Sequence, residues 1–256
     1  MDASLIGKTI QSLFSPADVV KVRHIMVGAV SQTVSTIVDL AQHAKSIGAE
    51  AIMVLTPPAL HLSQAEIYAF YAYIAKNVDI DVMVYNNPGS AAVDIAPETM
   101  AKIVKLPHMV YLKESTGDMI RVTRMIDELS EDIITLCGCE CLAYESFVMG
   151  ARGWISVLAN VAPKMCVALY DLIANKRDLD TARALNRKIL PLLRHIEESG
   201  ELWQVIKYAV HKQGLSNGIL RVPRLPISDA ARQTVDAIMR VKRQIGAPAF
   251  GPKEPK

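Results

Sequence analysis

The chain has 256 residues, 51% of them hydrophobic, and its 28 basic and 26 acidic side chains give a formal net charge of +2. A disordered chain would contain fewer apolar residues, and a protein that binds nucleic acid through bulk charge would have a clear basic excess. No apolar run reaches the ~18 residues of a membrane helix, and the first residues do not resemble a secretory signal, so we expect a soluble globular protein.

Short apolar runs alternate with longer amphipathic segments over the first two thirds of the chain. The apolar runs predict buried strands at 24–30, 51–55, 81–85, 109–113, 133–137 and 154–157. The amphipathic segments predict helices at 32–47, 63–76 (with Ser63 as N-cap), 97–104, 118–129, 142–149 and 163–174. Later residues predict only helices, at 179–198, 201–212 and 228–244.

Almost wholly apolar strands that alternate with helices indicate a parallel sheet covered on both faces. Two architectures fit this pattern, an open doubly wound sheet and a (β/α)8 barrel. No glycine-rich phosphate loop follows any of the strands, so nucleotide binding has no support.

The four cysteines are too few for a disulfide scaffold. They are Cys137, Cys139, Cys141 and Cys166, and the first three form C-G-C-E-C. This spacing is not a standard zinc motif, so we expect reduced, buried cysteines that act as small hydrophobic residues. A metal or redox role is the alternative. A reducing, cytoplasmic location fits these cysteines.

Lys113 is the clearest candidate for chemistry, because functional residues of parallel sheets lie at the carboxyl ends of strands. It ends a buried apolar run, where a charged and unpaired amine is costly. Burial favours the neutral amine, which can attack a carbonyl carbon and form a Schiff base. Tyr85 ends the preceding strand, and its phenol could carry protons for that reaction. A lysine whose amine extends into solvent is the alternative.

Several motifs occur in the order that is found in one enzyme family. They are Y-N-N-P-G (85–89), Y-L-K-E-S-T-G-D (111–118), G-A-R-G-W-I-S-V-L-A-N (150–160) and R-V-P-R-L-P (221–226). Over residues 23–245 the chain resembles the dihydrodipicolinate synthase / N-acetylneuraminate lyase family. The resemblance implies a (β/α)8 barrel with extra C-terminal helices, a homotetramer built from dimers, and a class I lyase mechanism without a metal or other cofactor.

The resemblance also implies roles for individual residues. Lys113 would form an imine with the keto carbon of a 2-keto acid, and Tyr85 would move protons while a bond to carbon forms or breaks. The substrate-binding residues that it implies are Ser115, Gly138, Glu140, Ile155 and Ser156. The expected partners are a small 2-keto acid and further copies of the chain, with no nucleic acid and no membrane.

Two positions depart from the synthase members of the family. Those members have an arginine shortly after the Y-N-x-P motif that binds a dicarboxylate substrate, whereas this chain has Ser90 and Ala91. They also have a tyrosine after the T-P of the fourth strand that completes a proton relay, and residues 56–61 contain none. The K-E-S-T-G-D form resembles members that act on sugar-derived 2-keto acids or hydroxyproline breakdown products, by dehydration, deamination or aldol cleavage.

Six strands are predicted, whereas a closed barrel has eight. The run 24–30 aligns with the third strand of the family, and residues 1–22 are too short for two more βα units. They also lack the G-[ST]-T-G-E motif that holds the substrate carboxylate in the family. Three interpretations stay open: a truncated gene or misassigned start codon, a paralogue without catalysis, and a gap covered in part by residues 1–22.

The sequence therefore predicts an α/β protein with an incomplete (β/α)8-type barrel and three extra C-terminal helices. Its predicted segments are an atypical N-terminal remnant (1–22), barrel units (23–176), a helical extension (177–245) and a flexible tail (246–256). We expect a Schiff-base lyase, an aldolase or hydro-lyase, that acts on pyruvate or on a sugar- or amino-acid-derived 2-keto acid. The alternative is an impaired paralogue with no enzymatic activity.

Overall fold

The computed structural model describes the backbone of residues 25–244 and the side chains up to residue 240. The predicted segments 1–22 and 246–256 lie outside the described residues. The chain divides into two compact units. One contains residues 25–116 together with 127–135, and the other contains 117–126 and 136–244.

The first unit is an α/β structure in which parallel strands alternate with helices. Its strands are β1 (Met26–Gly28), β2 (Ala51–Leu55), β3 (Asp81–Asn86) and β4 (Met109–Glu114), and it contains the first half of β5 (Ile134–Cys137). The helices between them are α1 (Val34–Ser46), α2 (Gln64–Asn77), the short α3 (Pro88–Ala91) and α4 (Pro97–Ile103).

The order of the strands decides between the two predicted architectures. The sheet has five strands in the order β1-β2-β3-β4-β5, and the pairs from β1 to β4 are parallel. A doubly wound sheet reverses its strand order at a switch point, whereas a (β/α)8 barrel adds each strand beside the previous one. The described strands follow the barrel order, which confirms the predicted barrel-type fold.

The two faces of this sheet differ in burial. Side chains alternate along a strand, and before the strand ends one face is apolar and completely buried, with Ile52, Val54, Val82, Val84 and Leu112. Helix α1 contributes Ile37 and helix α2 contributes Ile67, both completely buried. Tyr85 and Lys113 alternate with Val84 and Leu112, so their side chains leave the sheet on the other face.

The second unit is helical apart from the end of β5. Helix α5 (Met119–Leu129) belongs partly to each unit, and α6 (Ala143–Val148), α7 (Pro163–Tyr170), α8 (Leu179–Glu198), α9 (Leu202–His211) and α10 (Asp229–Gln244) follow. The last three helices confirm the predicted C-terminal addition. Their core includes Ile189, Leu193, Val205 and Val235, which are all completely buried. Among the described helices, none combines the length and apolar character needed to cross a membrane.

The predicted sixth strand at 154–157 is wrong. Only Trp154 makes a β-bridge, to Cys137, and a 3-10 turn (Leu158–Asn160) follows. Ile155 still donates its N–H to the carbonyl of Cys137, but the N–H groups of Val157 and Leu158 donate to the carboxylate of Glu140 and not to a strand. A side chain from an earlier loop thus takes the donors that a sheet ladder would need.

Helix α2 begins as the sequence predicts. Ser63 is its N-cap, and Ser63 and Glu66 form a reciprocal capping box. We expect Ser63→Ala to lower the free energy of unfolding by about 1 kcal/mol, because the N-terminal N–H groups of the helix lose an acceptor. Urea unfolding followed by circular dichroism measures this loss. Ser35→Ala, on the exposed side of α1, is the matched control, and an equal effect of both variants would contradict the capping role.

Candidate active site

The structure places Lys113 beside Tyr85 at the carboxyl ends of two neighbouring strands. The two residues are register partners in the β3–β4 pair. The Lys113 side chain is buried, with the residue 7% exposed, and its Nζ lies 3.9 Å from the centroid of the Tyr85 ring. Such a contact stabilises a cation by about 0.5–2 kcal/mol. Among the described residues the Lys113 amine has no carboxylate partner, so the amine is available to a ligand.

The Tyr85 hydroxyl is held by the next turn of the chain. The Nδ2 of Asn87 donates a hydrogen bond of 2.7 Å to Tyr85 Oη. Asn87 is also the N-cap of α3, where its Oδ1 accepts a hydrogen bond of 3.2 Å from the Ser90 N–H. The phenol oxygen of Tyr85 is therefore an acceptor at a defined position.

A buried polar network lies behind the Tyr85–Lys113 pair. Asn86 and Glu114 are also register partners, one residue further along each strand, and both are 1% exposed. Asn86 Nδ2 donates to a Glu114 oxygen at 3.1 Å, and the Thr116 N–H donates to the other at 2.8 Å. Because side chains alternate along a strand, this carboxylate lies on the opposite face from Lys113. It ties the two strand ends together and does not neutralise the amine.

Ser115 lies just after the lysine and has an unused polar atom. Its backbone N–H donates to the carbonyl of Asn86 at 2.9 Å. Its Oγ is buried and has no hydrogen-bond partner among the described residues. An unpartnered buried hydroxyl costs free energy unless a ligand or water satisfies it. By alternation the Ser115 side chain leaves the chain on the same side as Lys113.

The other predicted substrate-binding residues lie in the second unit, where Glu140 is central. Its carboxylate is 3% exposed and accepts hydrogen bonds from Val157 N (2.5 Å), Leu158 N (3.1 Å) and Ser156 Oγ (3.1 Å). The predicted Gly138 and Ile155 are partly exposed, and Ile155 donates its N–H to the carbonyl of Cys137. The structure thus brings Glu140 and Ser156 together as an internal support of the 156–158 segment.

Burial raises the pKa of Glu140 above its ordinary value, while the hydrogen bonds from Val157, Leu158 and Ser156 oppose the shift. The nearby carboxylate of Glu197 raises it further. Glu197 comes from helix α8 and accepts the Glu140 N–H at 2.5 Å. The start of the 3-10 turn Glu140–Leu142 is therefore held by a residue far away in the sequence.

All four cysteines are free thiols, and Cys137 is buried while the others are partly buried. Only Cys137 is therefore buried as the sequence predicts, and the other three are more exposed than expected. Burial raises the pKa of the Cys137 and Cys166 thiols to about 11, so both are protonated at neutral pH. The described residues contain no cluster of three or more His, Cys, Asp or Glu side chains arranged for a metal ion.

Two residues of these networks escaped the sequence interpretation. Asn87 was seen only as part of a turn motif, although an asparagine before Pro88 is a typical N-cap signal. Glu197 carries no local signal, since it reaches Glu140 only through the packing of α8. The departures from the synthase pattern are clear in the structure: Ser90 is exposed and Ala91 is completely buried.

Comparison with known proteins shows the relationship over most of the chain. The model of the dihydrodipicolinate synthetase family matches residues 16–242. The chain is 37% identical over 221 residues to a 4-hydroxy-tetrahydrodipicolinate synthase of Bartonella bacilliformis, covering 84% of this chain and 73% of that protein. A synthase of the same name from Stutzerimonas stutzeri is 34% identical over 226 residues, covering 87% of this chain and 74% of that one.

Solved structures agree with this relationship. The chloride-inhibited dihydrodipicolinate synthase of Acinetobacter baumannii, complexed with pyruvate, superposes with a TM-score of 0.84 at 28% identity. That match covers 94% of this chain and 81% of the other. A monomeric dihydrodipicolinate synthase variant superposes with a TM-score of 0.82 at 26% identity, covering 93% and 78% of the two chains. The alternative of a paralogue without activity has no support in these relatives, which are named as enzymes.

The raised pKa of Glu140 predicts a pH dependence of stability. The folded state favours the protonated carboxyl, so wild type should lose unfolding free energy, relative to Glu140→Gln, as the pH rises from about 4.5 towards neutrality. Urea unfolding of both proteins over this range measures the difference, and groups common to both cancel. Glu131→Gln, at an exposed glutamate, is the matched control substitution. A difference that is constant, or that changes in the opposite direction, would contradict the prediction.

Proposed function

The chain belongs to the dihydrodipicolinate synthetase family of class I lysine Schiff-base lyases, and on that premise we propose that Lys113 forms the imine with a 2-keto acid while Tyr85 transfers the protons. The observation that carries the proposal is the buried Lys113 amine, which lies against the Tyr85 ring at the ends of two paired strands. Carboxyl ends of strands are where barrel enzymes hold their catalytic groups.

Imine formation begins with the neutral Lys113 amine. Its nitrogen attacks the C2 carbonyl carbon of the keto acid, and proton transfer from nitrogen to oxygen gives a neutral carbinolamine. The Tyr85 phenol then donates its proton to the carbinolamine hydroxyl, which leaves as water. The products of this step are an iminium ion on Lys113 and a phenolate on Tyr85, so the charges balance.

The second step uses the phenolate as a base. Tyr85 Oη takes a proton from C3 of the iminium ion, the electron pair of the C–H bond becomes the C2=C3 double bond, and the iminium nitrogen becomes neutral. The resulting enamine can form a bond from C3 to an electrophile or expel a leaving group. Each branch ends with hydrolysis of the imine, which restores the Lys113 amine.

The unpartnered Oγ of Ser115 is suited to the same ligand. A hydroxyl can donate to a substrate carboxylate or accept from a substrate hydroxyl, and it lies two residues after Lys113 on the same side of the chain. We assign Ser115 to substrate binding. The substrate-binding role that the family resemblance implies stays assigned to Gly138, Glu140, Ile155 and Ser156. Glu140 also accepts the hydrogen bonds that hold the 156–158 segment.

The substrate class follows from the residues after Tyr85. The position of the arginine that binds a dicarboxylate in synthase members is occupied by the exposed Ser90 and the completely buried Ala91. Neither side chain carries the positive charge that would form an ion pair with a second carboxylate. We therefore assign the chain a 2-keto acid with a single carboxylate, derived from a sugar or an amino acid. Self-association remains a prediction from the resemblance, and a cytoplasmic location remains a prediction from the cysteines.

Chemical trapping tests the nucleophile. Incubation with pyruvate and borohydride should add to wild type the mass of one pyruvate less one water plus two hydrogens, because borohydride reduces the imine. Lys113→Met should gain no adduct, and peptide mapping should locate the wild-type adduct at Lys113. The matched control Lys102→Met removes an exposed lysine of α4 and should leave the adduct unchanged. Wild type without an adduct, or an adduct on Lys113→Met, would overturn the proposal.

A panel of substrates tests the assigned class. We expect turnover of monocarboxylate 2-keto acids that carry hydroxyl or amino substituents, measured by release of water, ammonia or pyruvate. A dicarboxylate substrate should react at least tenfold more slowly, since its second carboxylate lacks the charge-assisted hydrogen bonds of an arginine, and a tenfold loss corresponds to about 1.4 kcal/mol. Faster reaction of the dicarboxylate would contradict the assignment, and Ser90→Arg should reduce the preference.

A further inference from the structure

We propose that Asn87 is a positioning residue that stabilises the phenolate form of Tyr85 during proton transfer. This inference rests on the proposed function, because it assigns a role to the group that holds the proposed proton carrier. It goes beyond that function by assigning a role to the third residue of the Y-N-N-P-G motif, which the proposed mechanism does not use. The observation that carries it is the 2.7 Å hydrogen bond from Asn87 Nδ2 to Tyr85 Oη.

The orientation of the Asn87 amide is fixed by its other contact. Its Oδ1 accepts the Ser90 N–H at the start of α3, where Pro88 occupies the first helical turn. Rotation of the amide by half a turn would place the NH2 group against that N–H, which is a clash of two donors. The helix cap therefore turns the donor end of Asn87 towards the phenol of Tyr85.

The chemistry of the amide makes this contact directional. An amide nitrogen donates hydrogen bonds and has no lone pair that could accept a proton. Tyr85 Oη is therefore the acceptor, and its own proton is left for a substrate or a water molecule. When Tyr85 loses that proton, the neutral hydrogen bond becomes a charge-assisted one, which is roughly twice as strong.

An interaction that strengthens only when charge develops lowers the barrier to the step that creates the charge. Asn87 should therefore speed loss of water from the carbinolamine and raise the population of the iminium–phenolate pair from which the C3 proton is taken. It should not change the final yield of borohydride trapping, because the reduction is irreversible and the reduced adduct carries no phenolate. The proton returns from Tyr85 to the bound substrate and does not pass to Asn87.

The simplest competing explanation is that Asn87 only caps α3. Asp and Ser are also good N-caps, so Asn87→Asp and Asn87→Ser keep an acceptor for the Ser90 N–H and remove the donor to Tyr85. The Asp side chain has nearly the same shape as Asn and places a carboxylate at the phenol, whereas the Ser side chain is too short to reach it. A purely structural role would leave both variants close to wild type.

The experiment compares two readouts in the full-length protein. Borohydride trapping of pyruvate, taken to completion, reports the imine at Lys113, and exchange of the pyruvate C3 hydrogens with deuterium oxide, followed by NMR, reports proton transfer. We expect both Asn87 variants to give wild-type trapping yields and thermal unfolding, and to exchange about ten to a hundred times more slowly. Tyr85→Phe should slow the exchange at least as much.

A double-mutant cycle tests whether Asn87 affects the exchange rate through the Tyr85 hydroxyl or by another route. In the Tyr85→Phe background, Asn87→Asp should cause no further loss of exchange, because the oxygen that Asn87 contacts is gone. Asn77→Asp is the matched control. Asn77 is an exposed amide at the end of α2 whose Nδ2 donates to the Tyr73 carbonyl at 2.7 Å, and its substitution should leave exchange unchanged.

The outcomes are distinguishable. Normal trapping with unchanged exchange in both Asn87 variants would overturn this inference and leave the proposed function standing. An equal loss in the presence and absence of the Tyr85 hydroxyl would overturn it as well, because Asn87 would then act elsewhere. Failure of wild type to trap pyruvate would overturn the proposed function, and the role of Asn87 with it.

Discussion

The register between β3 and β4 is the constraint on which the candidate site depends. Pairing Tyr85 with Lys113 and Asn86 with Glu114 puts the amine and the phenol on one face of the sheet and the buried amide and carboxylate on the other. A slip of one residue would pair Tyr85 with Glu114 and Asn86 with Ser115. The Asn86–Glu114 hydrogen bond and the Ser115 N–H donated to Asn86 oppose such a slip.

Neighbouring residues at the strand ends have different roles: Asn86 and Glu114 hold the two strands together, whereas Tyr85 and Lys113 face the proposed substrate site. Glu114 is buried but fully engaged with Asn86 and Thr116, so it joins the strand ends. Lys113 is buried with an aromatic ring as its described neighbour, which stabilises a cation far less than a carboxylate would. The free energy that burial of the amine costs is offset by the apolar packing of Val84 and Leu112 on the opposite face. The amine is thereby kept for a ligand that can react with it.

The second unit also contains a buried carboxylate that holds the backbone, that of Glu140. Glu140 accepts two backbone N–H groups and the Ser156 hydroxyl, and its own N–H is held by Glu197. These contacts link three stretches of chain that are far apart in sequence. They define the backbone at Ile155 and Ser156, which the family resemblance assigns to substrate binding. Glu140, which the family resemblance assigns to substrate binding, therefore also stabilises the backbone of the 156–158 segment.

The sequence by itself determined where most elements lie, because hydrophobic periodicity and capping residues act over a few neighbouring positions. Strand β2, helix α8 and the Ser63 cap match their predictions, and the apolar run before Lys113 was enough to predict its burial. Only the tertiary structure decided how the polar groups pair. The 154–157 segment does not form the predicted strand, because the N–H groups of Val157 and Leu158 donate to the Glu140 carboxylate. The hydrogen bonds of Asn87 to Tyr85 and of Glu197 to the Glu140 N–H form only in the folded chain. Such hydrogen bonds depend on which side chains the fold brings together, and local sequence pattern does not carry that information.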